Sequence, residues 1–394
     1  MRILIGHNQY QNYGGEDAVA MAEQRLLEEH GHTVYKYTRS NTELKNFPFK
    51  EKSRFMWYLA WSDKSYQELR KIIREFKPDI AHFHNIYFMM TPAVYYACQD
   101  EGVPVVQSLH NFRPLCANGL LFRNNHVCEK CLKGSLLNGI WHRCYQKSWI
   151  ISALLVRMLS AHRKMNTWKD KVDAFITATE FTKSKYLQAG FAPDKIFIKP
   201  NFLYASPPEL KADQGYALYV GRLSEEKGVE VLVNAWKEIK DYPLKIVGDG
   251  PLKAYLSGLL HNNQIQNVEL LGHVDDNKRN QLLQGAKFVI VPSICYETFS
   301  LIVAESMAYG VPVIGSRLGS LQEIIEDQKD GMLFEAGNSQ DLANKVKQCI
   351  SSPEYENMRR QALAKYQKQF STLANYEILM NIYNNVLSKN YPRS

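Results

Sequence analysis

Short apolar runs alternate with amphipathic stretches along most of the chain. Residues 2–6 (RILIG) read as a buried strand. Between Glu16 and Gly31 the apolar Val19, Met21, Leu26 and Leu27 recur at helical intervals. Gly31 suits the stop of that helix, and residues 33–37 suit a second strand. A polar, aromatic stretch leads to a helix near 65–76 and to strands at 78–83 and 103–109. This alternation predicts a parallel sheet with helices on both faces. Residues 112–148 break the rhythm: they hold four of the seven cysteines and read as an insertion. A helix over 148–165 and strands at 174–179 and 195–199 follow.

From Pro200-Asn201 to Gln214 the chain is aperiodic and bears Pro and Ser, as a linker does. A second alternating unit then opens, with strands expected at 216–220, 244–247, 268–271, 288–291 and 311–315 and helices between them. Residues 338–350 and 353–390 read as terminal helices, and no repeat or low-complexity segment is present. The expected architecture is α/β, with two doubly wound Rossmann-like domains facing a central cleft. The N-terminal domain would span 1–200 with its insertion at about 112–148. The C-terminal domain would span 201–375, and a last helix over 376–394 would pack back on the first domain.

Composition changes this picture little. Hydrophobic residues make up 45% of 394 and charged residues 22%, which excludes disordered, collagenous and disulfide-scaffold classes. The longest apolar run, 149–156 (WIISALLV), is well short of the roughly 18–20 residues a membrane span needs. The opening MRILIGHNQY lacks the apolar core of a secretory signal, so the cytosol is the expected location. Charge is more informative. The net charge is +8, and residues 101–200 carry 15 Lys and Arg against 6 Asp and Glu, while residues 201–394 carry 20 against 22. One part of one domain is therefore expected to face something anionic, unless the surface is merely unevenly charged.

The candidate chemistry is concentrated in the second unit. Arg222 follows an expected strand, and Lys227-Gly228 opens a helix. An Arg and a Lys at the carboxyl end of a parallel strand, beside a helix N-terminus, suit a diphosphate. Farther on, Glu297 and Glu305 stand eight positions apart across an apolar segment. Glu305 lies where a carboxylate needs a partner. The amides of Phe299 and Ser300 would sit at the start of the connecting helix and suit phosphate oxygens.

The run Glu297-Thr298-Phe299-Ser300 through Glu305 to Val313 resembles the E-x7-E region of retaining family 4 glycosyltransferases, which have the GT-B fold. The resemblance extends over most of the chain. It takes in Tyr13-Gly14-Gly15, His110-Asn111, Thr179-Glu180, Pro200-Asn201, Gly221-Arg222, Glu226-Lys227-Gly228 and Gly248-Asp249-Gly250-Pro251. It implies that Arg222 and Lys227 hold the donor diphosphate, that Glu305 binds the ribose hydroxyls and that Glu297 contacts the transferred sugar. Backbone amides at Thr298, Phe299, Ser300 and Leu301, and at Gly14 and Gly15, would approach the phosphates and the sugar. His110 would project toward the sugar, and His110 and Glu297 are the catalytic candidates. No divalent cation is implied for catalysis, because Arg222, Lys227 and a helix dipole would neutralise the leaving group. Two positions depart from the family pattern. Thr298 and Ser300 replace two glycines, and Phe202 replaces the glycine after Pro200-Asn201.

The implied activity is a hexosyl transfer with retention, from a UDP- or GDP-sugar to a glycolipid or lipid-diphosphate saccharide acceptor. Capsule, exopolysaccharide or lipopolysaccharide assembly would be the setting. The alternatives are an epimerase or phosphorylase of the same fold, or a zinc-knuckle protein binding nucleic acid. The last leaves Glu297, Glu305, Arg222 and Lys227 without a role, so no nucleic-acid partner is expected.

Cys116, Cys128, Cys131 and Cys144 are spaced C-x11-C-x2-C-x12-C. Such spacing in a cytosolic chain suits a structural zinc site, although only one CxxC is present. Free or redox-active thiols, an iron–sulfur cluster and disulfides are the alternatives. The basic, aromatic segment from Trp141 to Trp168 suits peripheral contact with an anionic membrane at the inner face of the cell membrane, or a helix that packs its apolar side on the domain.

Overall fold

The computed structural model describes residues 1–11, 14–46, 59–204 and 210–390. Tyr13, the first residue of the glycine-turn motif, lies outside them, as do positions 205–209 of the expected linker. The chain divides into two compact units. The first joins residues up to Leu121, Cys128–Asn201 and the chain from Thr372 onward; the second joins Phe122–Val127 and Phe202–Ser371.

The first unit runs β1 (Arg2–Gln9), α1 (Gly15–Glu29), β2 (Thr33–Ser40), α2 (Asp63–Phe76), β3 (Ile80–Phe83), α3 (Ala93–Asp100) and β4 (Val105–Ser108). A short hairpin, β5 (Phe122–Arg123) and β6 (His126–Val127), leads to α4 (Lys130–Lys133), α5 (Leu137–Trp141), α6 (Trp149–Lys164) and α7 (Thr167–Asp170). Then come β7 (Ala174–Thr177), α8 (Glu180–Gln188) and β8 (Ile196–Ile198). The sheet order is β2-β1-β3-β4-β7-β8, parallel throughout. Local chemistry sets the helix starts: Ser62 accepts from the Ser65 amide ahead of α2, and Ser148 accepts from the Ile151 amide ahead of α6. Arg163 and Lys164 occupy the last turn of α6, where cations meet the negative end of the dipole.

The second unit runs β9 (Tyr216–Val220), α9 (Val229–Trp236), β10 (Leu244–Val247), α10 (Lys253–Asn262), β11 (Val268–Gly272), α11 (Asp276–Gly285) and β12 (Ala286–Val291). It continues with α12 (Leu301–Ala308), β13 (Val313–Ser316), α13 (Leu321–Ile324), β14 (Gly331–Phe334), α14 (Ser339–Ile350) and α15 (Tyr355–Lys365). Its sheet order is β11-β10-β9-β12-β13-β14. The chain winds outward from β9 in one direction and then from β12 in the other. The carboxyl ends of β9 and β12 therefore flank a topological switch point, the place where open α/β sheets bind ligands.

The C-terminal helix α16 (Thr372–Asn390) belongs to the first unit. Its Leu379, Ile382, Tyr383 and Val386 are buried in one core with Ile3, Ile5, Ile80, Val106 and Ile176. A π-helical turn, Tyr366–Phe370, divides α15 from α16, where the periodicity suggested continuous helix. Three elements had no legible pattern. Residues of α3 are mostly buried, so α3 shows no polar face. The four-residue β14 starts on a glycine. The hairpin strands have two residues each. Among the described residues, no helix is long and apolar enough to cross a membrane.

Candidate functional site

The switch point of the second unit gathers most of the donor-side candidates. Gly221-Arg222 follows β9, held where the Gly221 amide donates to the Val247 carbonyl and the Tyr219 hydroxyl donates to the Arg222 carbonyl. The Arg222 side chain is exposed. A 3-10 turn, Glu225–Lys227, ends at Gly228 with φ 65°. A Cβ on Gly228 would stand 1.8 Å from the Pro292 carbonyl oxygen, so the two strand ends meet closely only because this residue lacks a side chain.

Lys227 Nζ reaches Glu297 Oε1 at 2.7 Å, and the Ser293 hydroxyl donates to the same oxygen at 2.6 Å. The Ser320 hydroxyl donates to the Glu297 carbonyl at 2.5 Å and fixes the backbone of the loop. Burial disfavours the Lys227 ammonium. Attraction to Glu297 outweighs that penalty and holds its pKa above the ordinary lysine range, so the site keeps a fixed cation. Phe299 anchors the loop by packing edge-on against Phe370, with ring centroids 5.6 Å apart. Ser300 then caps α12 in an extended conformation without a side-chain cap bond, and Leu301 opens the helix. Thr298 lies between Glu297 and this anchor.

Glu305, one turn into α12, is largely buried, and burial raises its pKa. Its charged partner is Arg279 of α11, at 3.7 Å. That separation is too long for a hydrogen bond, and the buried Arg279 Nε has no hydrogen-bond partner among the described residues. Arg279 had no motif to announce it, since it acts on a glutamate of another helix; Ser320 lies in the Gly319-Ser320 motif of the family resemblance, and Ser293 stands four positions before the glutamate it holds.

In the first unit, the carboxyl ends of adjacent strands bring four histidines together. His7 lies on β1, His82 on β3, His84 just after it, and His110 just after β4. His7 Nε2 meets Asp17 Oδ1 at 2.9 Å, and the other Asp17 oxygen accepts from the Gly14 amide at 2.9 Å, which closes the first turn of α1. A Cβ on Gly14 would find only that oxygen, at 3.8 Å, so packing does not require glycine there. Gly15 is the first residue of α1 and is exposed. Glu16 accepts from Asn111 Nδ2 at 2.6 Å and from the Tyr10 hydroxyl at 2.9 Å, which ties the turn to the His110-Asn111 segment.

His110 Nε2 and His84 Nδ1 are 2.9 Å apart. Burial holds the His84 pKa well below the ordinary range and pushes that of His110 down to about 3, so both rings are neutral and one donates to the other. Glu16, His84, His110 and Asn111 line one small pocket of about 10 Å³. The sequence pattern singled out His110 alone. A histidine at the end of each of three neighbouring strands was the available signal for the rest.

Beneath them lies a charge pair. Glu23 is fully buried and meets His82 Nδ1 at 3.0 Å and Lys199 Nζ at 3.0 Å; Lys199 also donates to Asn375 at 2.9 Å. Burial opposes the Glu23 carboxylate, but Lys199 and then His82 hold its pKa well below the usual value. Glu23, His82 and His84 bring their ligand atoms within 4.8 Å of one another. The Lys199 ammonium already supplies the positive charge there, so this cluster reads as an ion-pair network and not a metal centre.

Two outcomes follow for this network. Glu23→Gln leaves the Lys199 ammonium buried without its counter-charge and should cost about 3–5 kcal/mol in urea denaturation. The neutral His84 and His110 act at milder pH. Their folded pKa values lie below the unfolded value of about 6.5, so the unfolded chain takes up protons first. Stability should therefore fall as pH drops from about 6.5 toward 3, seen as a falling melting temperature.

None of the seven cysteines is in a disulfide, so that alternative is corrected. Cys116 and Cys131 are buried, and their thiols hydrogen-bond each other. That bond pulls the Cys116 pKa below the ordinary thiol value and raises that of Cys131, which Cys144 and Cys128 also affect through charge. The Cys116 thiol additionally donates to Asn118 Oδ1 at 3.1 Å. Among the described residues no three of the four sulfurs lie within 4.8 Å of one another, so the structure shows no assembled four-cysteine site.

Two family models match in succession: Glycosyltransferase Family 4 over residues 13–204 and Glycosyl transferases group 1 over residues 204–369. The chain is 23% identical over 396 residues to N-acetyl-alpha-D-glucosaminyl L-malate synthase of Bacillus anthracis, covering 94% of this chain and 93% of that one. It is 29% identical over 198 residues to phosphatidyl-myo-inositol mannosyltransferase of Mycobacterium leprae, covering 46% and 50%. The chain spans between 36% and 52% of the length of the first curated relatives it matches. Among solved structures it is similar to Anabaena HepE in complex with UDP, with TM-score 0.67, 18% identity, 98% of this chain and 100% of that one covered. Two parallel α/β units in this order, each matched by its own family model, place the chain among the family 4 glycosyltransferases of GT-B fold.

Proposed function

We propose that the protein is a retaining glycosyltransferase. It moves a hexosyl unit from a UDP- or GDP-sugar to a saccharide acceptor on a lipid or lipid diphosphate in surface polysaccharide assembly. The observation that carries the reading is the Lys227–Glu297 pair at the switch point of the second unit, beside exposed Arg222 and the start of α12. A fixed cation, an exposed cation and the amides at the start of a helix form a preorganised receptor for a diphosphate. HepE was solved with UDP, with UDP and glucose, and with UDP-glucose, which supports a nucleotide-sugar donor.

The roles then divide. Arg222 and Lys227 hold the diphosphate, with the amides of Thr298, Phe299, Ser300 and Leu301 and those of Gly14 and Gly15 approaching the phosphates and sugar. Glu305 takes the ribose hydroxyls, for which it exchanges its long contact with Arg279. Glu297 and His110 position the sugar, and His110 is neutral as a hydrogen-bonding group requires. In the reaction the bond from the anomeric carbon to the diphosphate oxygen breaks, and the electron pair leaves with the diphosphate. The acceptor oxygen forms the new bond on the same face, and its proton passes to the departing phosphate oxygen. Charge on the leaving group is met by Arg222 and Lys227, so no divalent cation enters this scheme.

The relatives' names point to different acceptors, malate in one and an inositol phospholipid in the other. The basic N-terminal unit supports the lipid-linked choice and a peripheral position on the inner face of the cell membrane. Cys116, Cys128, Cys131 and Cys144 are a donor set that suits zinc, which would order the insertion. Metal analysis of purified protein should find stoichiometric zinc, lost on replacing Cys116 and Cys131 by serine; zinc-free, fully folded protein would end that part of the reading. For the donor, a thermal-shift series with UDP-, GDP- and ADP-sugars should give one stabilising group, and Glu305→Ala should abolish the shift. An equal shift in the variant would show that Glu305 takes no part.

A further inference from the structure

Between Glu129 and Asp170 lie 40 residues with eight Lys and Arg and no Asp or Glu. This stretch carries α4, α5 and α6, and it also exposes large apolar side chains. Leu137 is 63% exposed, Trp141 73%, Trp149 49% and Ile150 62%. Leu137 and Trp141 stand four apart on α5 and so share a face. The Trp141 ring meets that of Trp149 edge-on, with centroids 6.4 Å apart, which joins α5 to the first turn of α6, where Ile150 follows. The four side chains make one patch.

Its surroundings are cationic. Lys133, Arg143 and Lys147 are exposed around it, and the Arg143 guanidinium stands 5.8 Å from the centre of the Trp149 ring. Along α6 the positions seven and fourteen beyond Ile150 are Arg157 and Lys164, both exposed, so one stripe of the helix continues the basic character. The inward side is ordinary core: Leu155, Val156, Met158 and Leu159 are buried. Packing on the first unit therefore accounts for one side of α6 and leaves the Trp149, Ile150, Arg157 and Lys164 side unexplained.

An apolar centre with tryptophans at its margin and a surplus of cations around it, of which Lys133 is paired with Glu129 at 2.8 Å, matches an anionic lipid surface. Acyl chains accept the apolar residues, indoles settle at the headgroup boundary and phosphates meet the cations. A second copy of the same patch would set eight cations against eight. We propose that this surface seats the protein on an anionic bilayer. Leu137, Trp141 and Ile150 enter the acyl boundary, and Lys133, Arg143 and Lys147 remain at phosphate level. The inference deepens the reading of a lipid-linked acceptor, and its test is independent of it because the vesicles contain no acceptor.

The test is flotation of the full chain with vesicles of equimolar phosphatidylglycerol and phosphatidylcholine, against phosphatidylcholine alone. The protein should float with the anionic vesicles and remain below with the neutral ones. Trp141→Ser combined with Ile150→Ser should weaken binding by about tenfold or more. Arg143→Gln and Lys147→Gln should each weaken it by about fivefold, more at low salt. All four side chains are exposed, so the variants should keep the parent melting temperature and nucleotide-sugar thermal shift. Absence of flotation with anionic vesicles would overturn the proposal, as would variants that float like the parent. A concentration-dependent dimer abolished by Trp141→Ser would overturn it in favour of self-association. Loss of the nucleotide-sugar shift in the parent would count against the donor site alone.

Discussion

Lys227→Ala should lower kcat/KM for sugar transfer by roughly 10²- to 10³-fold. The lysine is partly buried, 2.7 Å from Glu297, and the pair keeps it charged throughout the physiological range. A cation already in place when the diphosphate departs stabilises the transition state without solvent reorganisation. Arg222 is exposed and must be gathered by the ligand, so its removal should raise KM more than it lowers kcat. Glu297→Gln combined with Lys227→Ala should cost less than the two single effects summed, because the residues share one interaction. Steady-state kinetics of the four proteins measure this directly. Additive effects would mean that the pair does not act as a unit.

Gly248→Ala should destabilise the second unit by roughly 3 kcal/mol or more. Gly248 follows β10 with φ 134°, a conformation that alanine adopts only with strain. A Cβ there would stand 1.9 Å from the Gly221 carbonyl oxygen, on the segment that presents Arg222. The backbone cannot yield cheaply, because the Gly248 amide is bonded to the Gly272 carbonyl at 2.8 Å. Gly258 provides the contrast. It sits on α10 with open space where a Cβ would go, and alanine there should stabilise by about 0.5–1 kcal/mol. Urea denaturation of both variants separates backbone strain from a general effect of adding a methyl group.

The two sites differ in how much of them could be read beforehand. In the second unit, the donor residues fall in short contiguous motifs at strand ends. Arg222, Lys227 and Gly228 lie within seven positions, and Glu297 through Glu305 lie within nine. Local spacing was enough to name them. What supports them is long-range: Ser320 reaches the Glu297 carbonyl from 23 positions away, and Arg279 reaches Glu305 from another helix. No window of sequence contains such a contact. The first unit depends still more on tertiary assembly, since Glu23 on α1 meets Lys199 after β8 and Lys199 meets Asn375 on α16. Apolar alternation located most strands to within a few residues because both faces of each sheet are covered. It failed at α3, whose residues are mostly buried, and at β14, where the run is too short to show a period.

The central claim is that the carboxyl ends of β9 and β12 receive a nucleoside diphosphate. Hydrogen–deuterium exchange of the full chain, with and without saturating UDP, GDP or ADP, tests where the nucleotide lies. The account predicts that one of the three slows exchange at Gly221–Gly228 and at Thr298–Glu305. Unchanged exchange in both segments, with protection elsewhere, would contradict it.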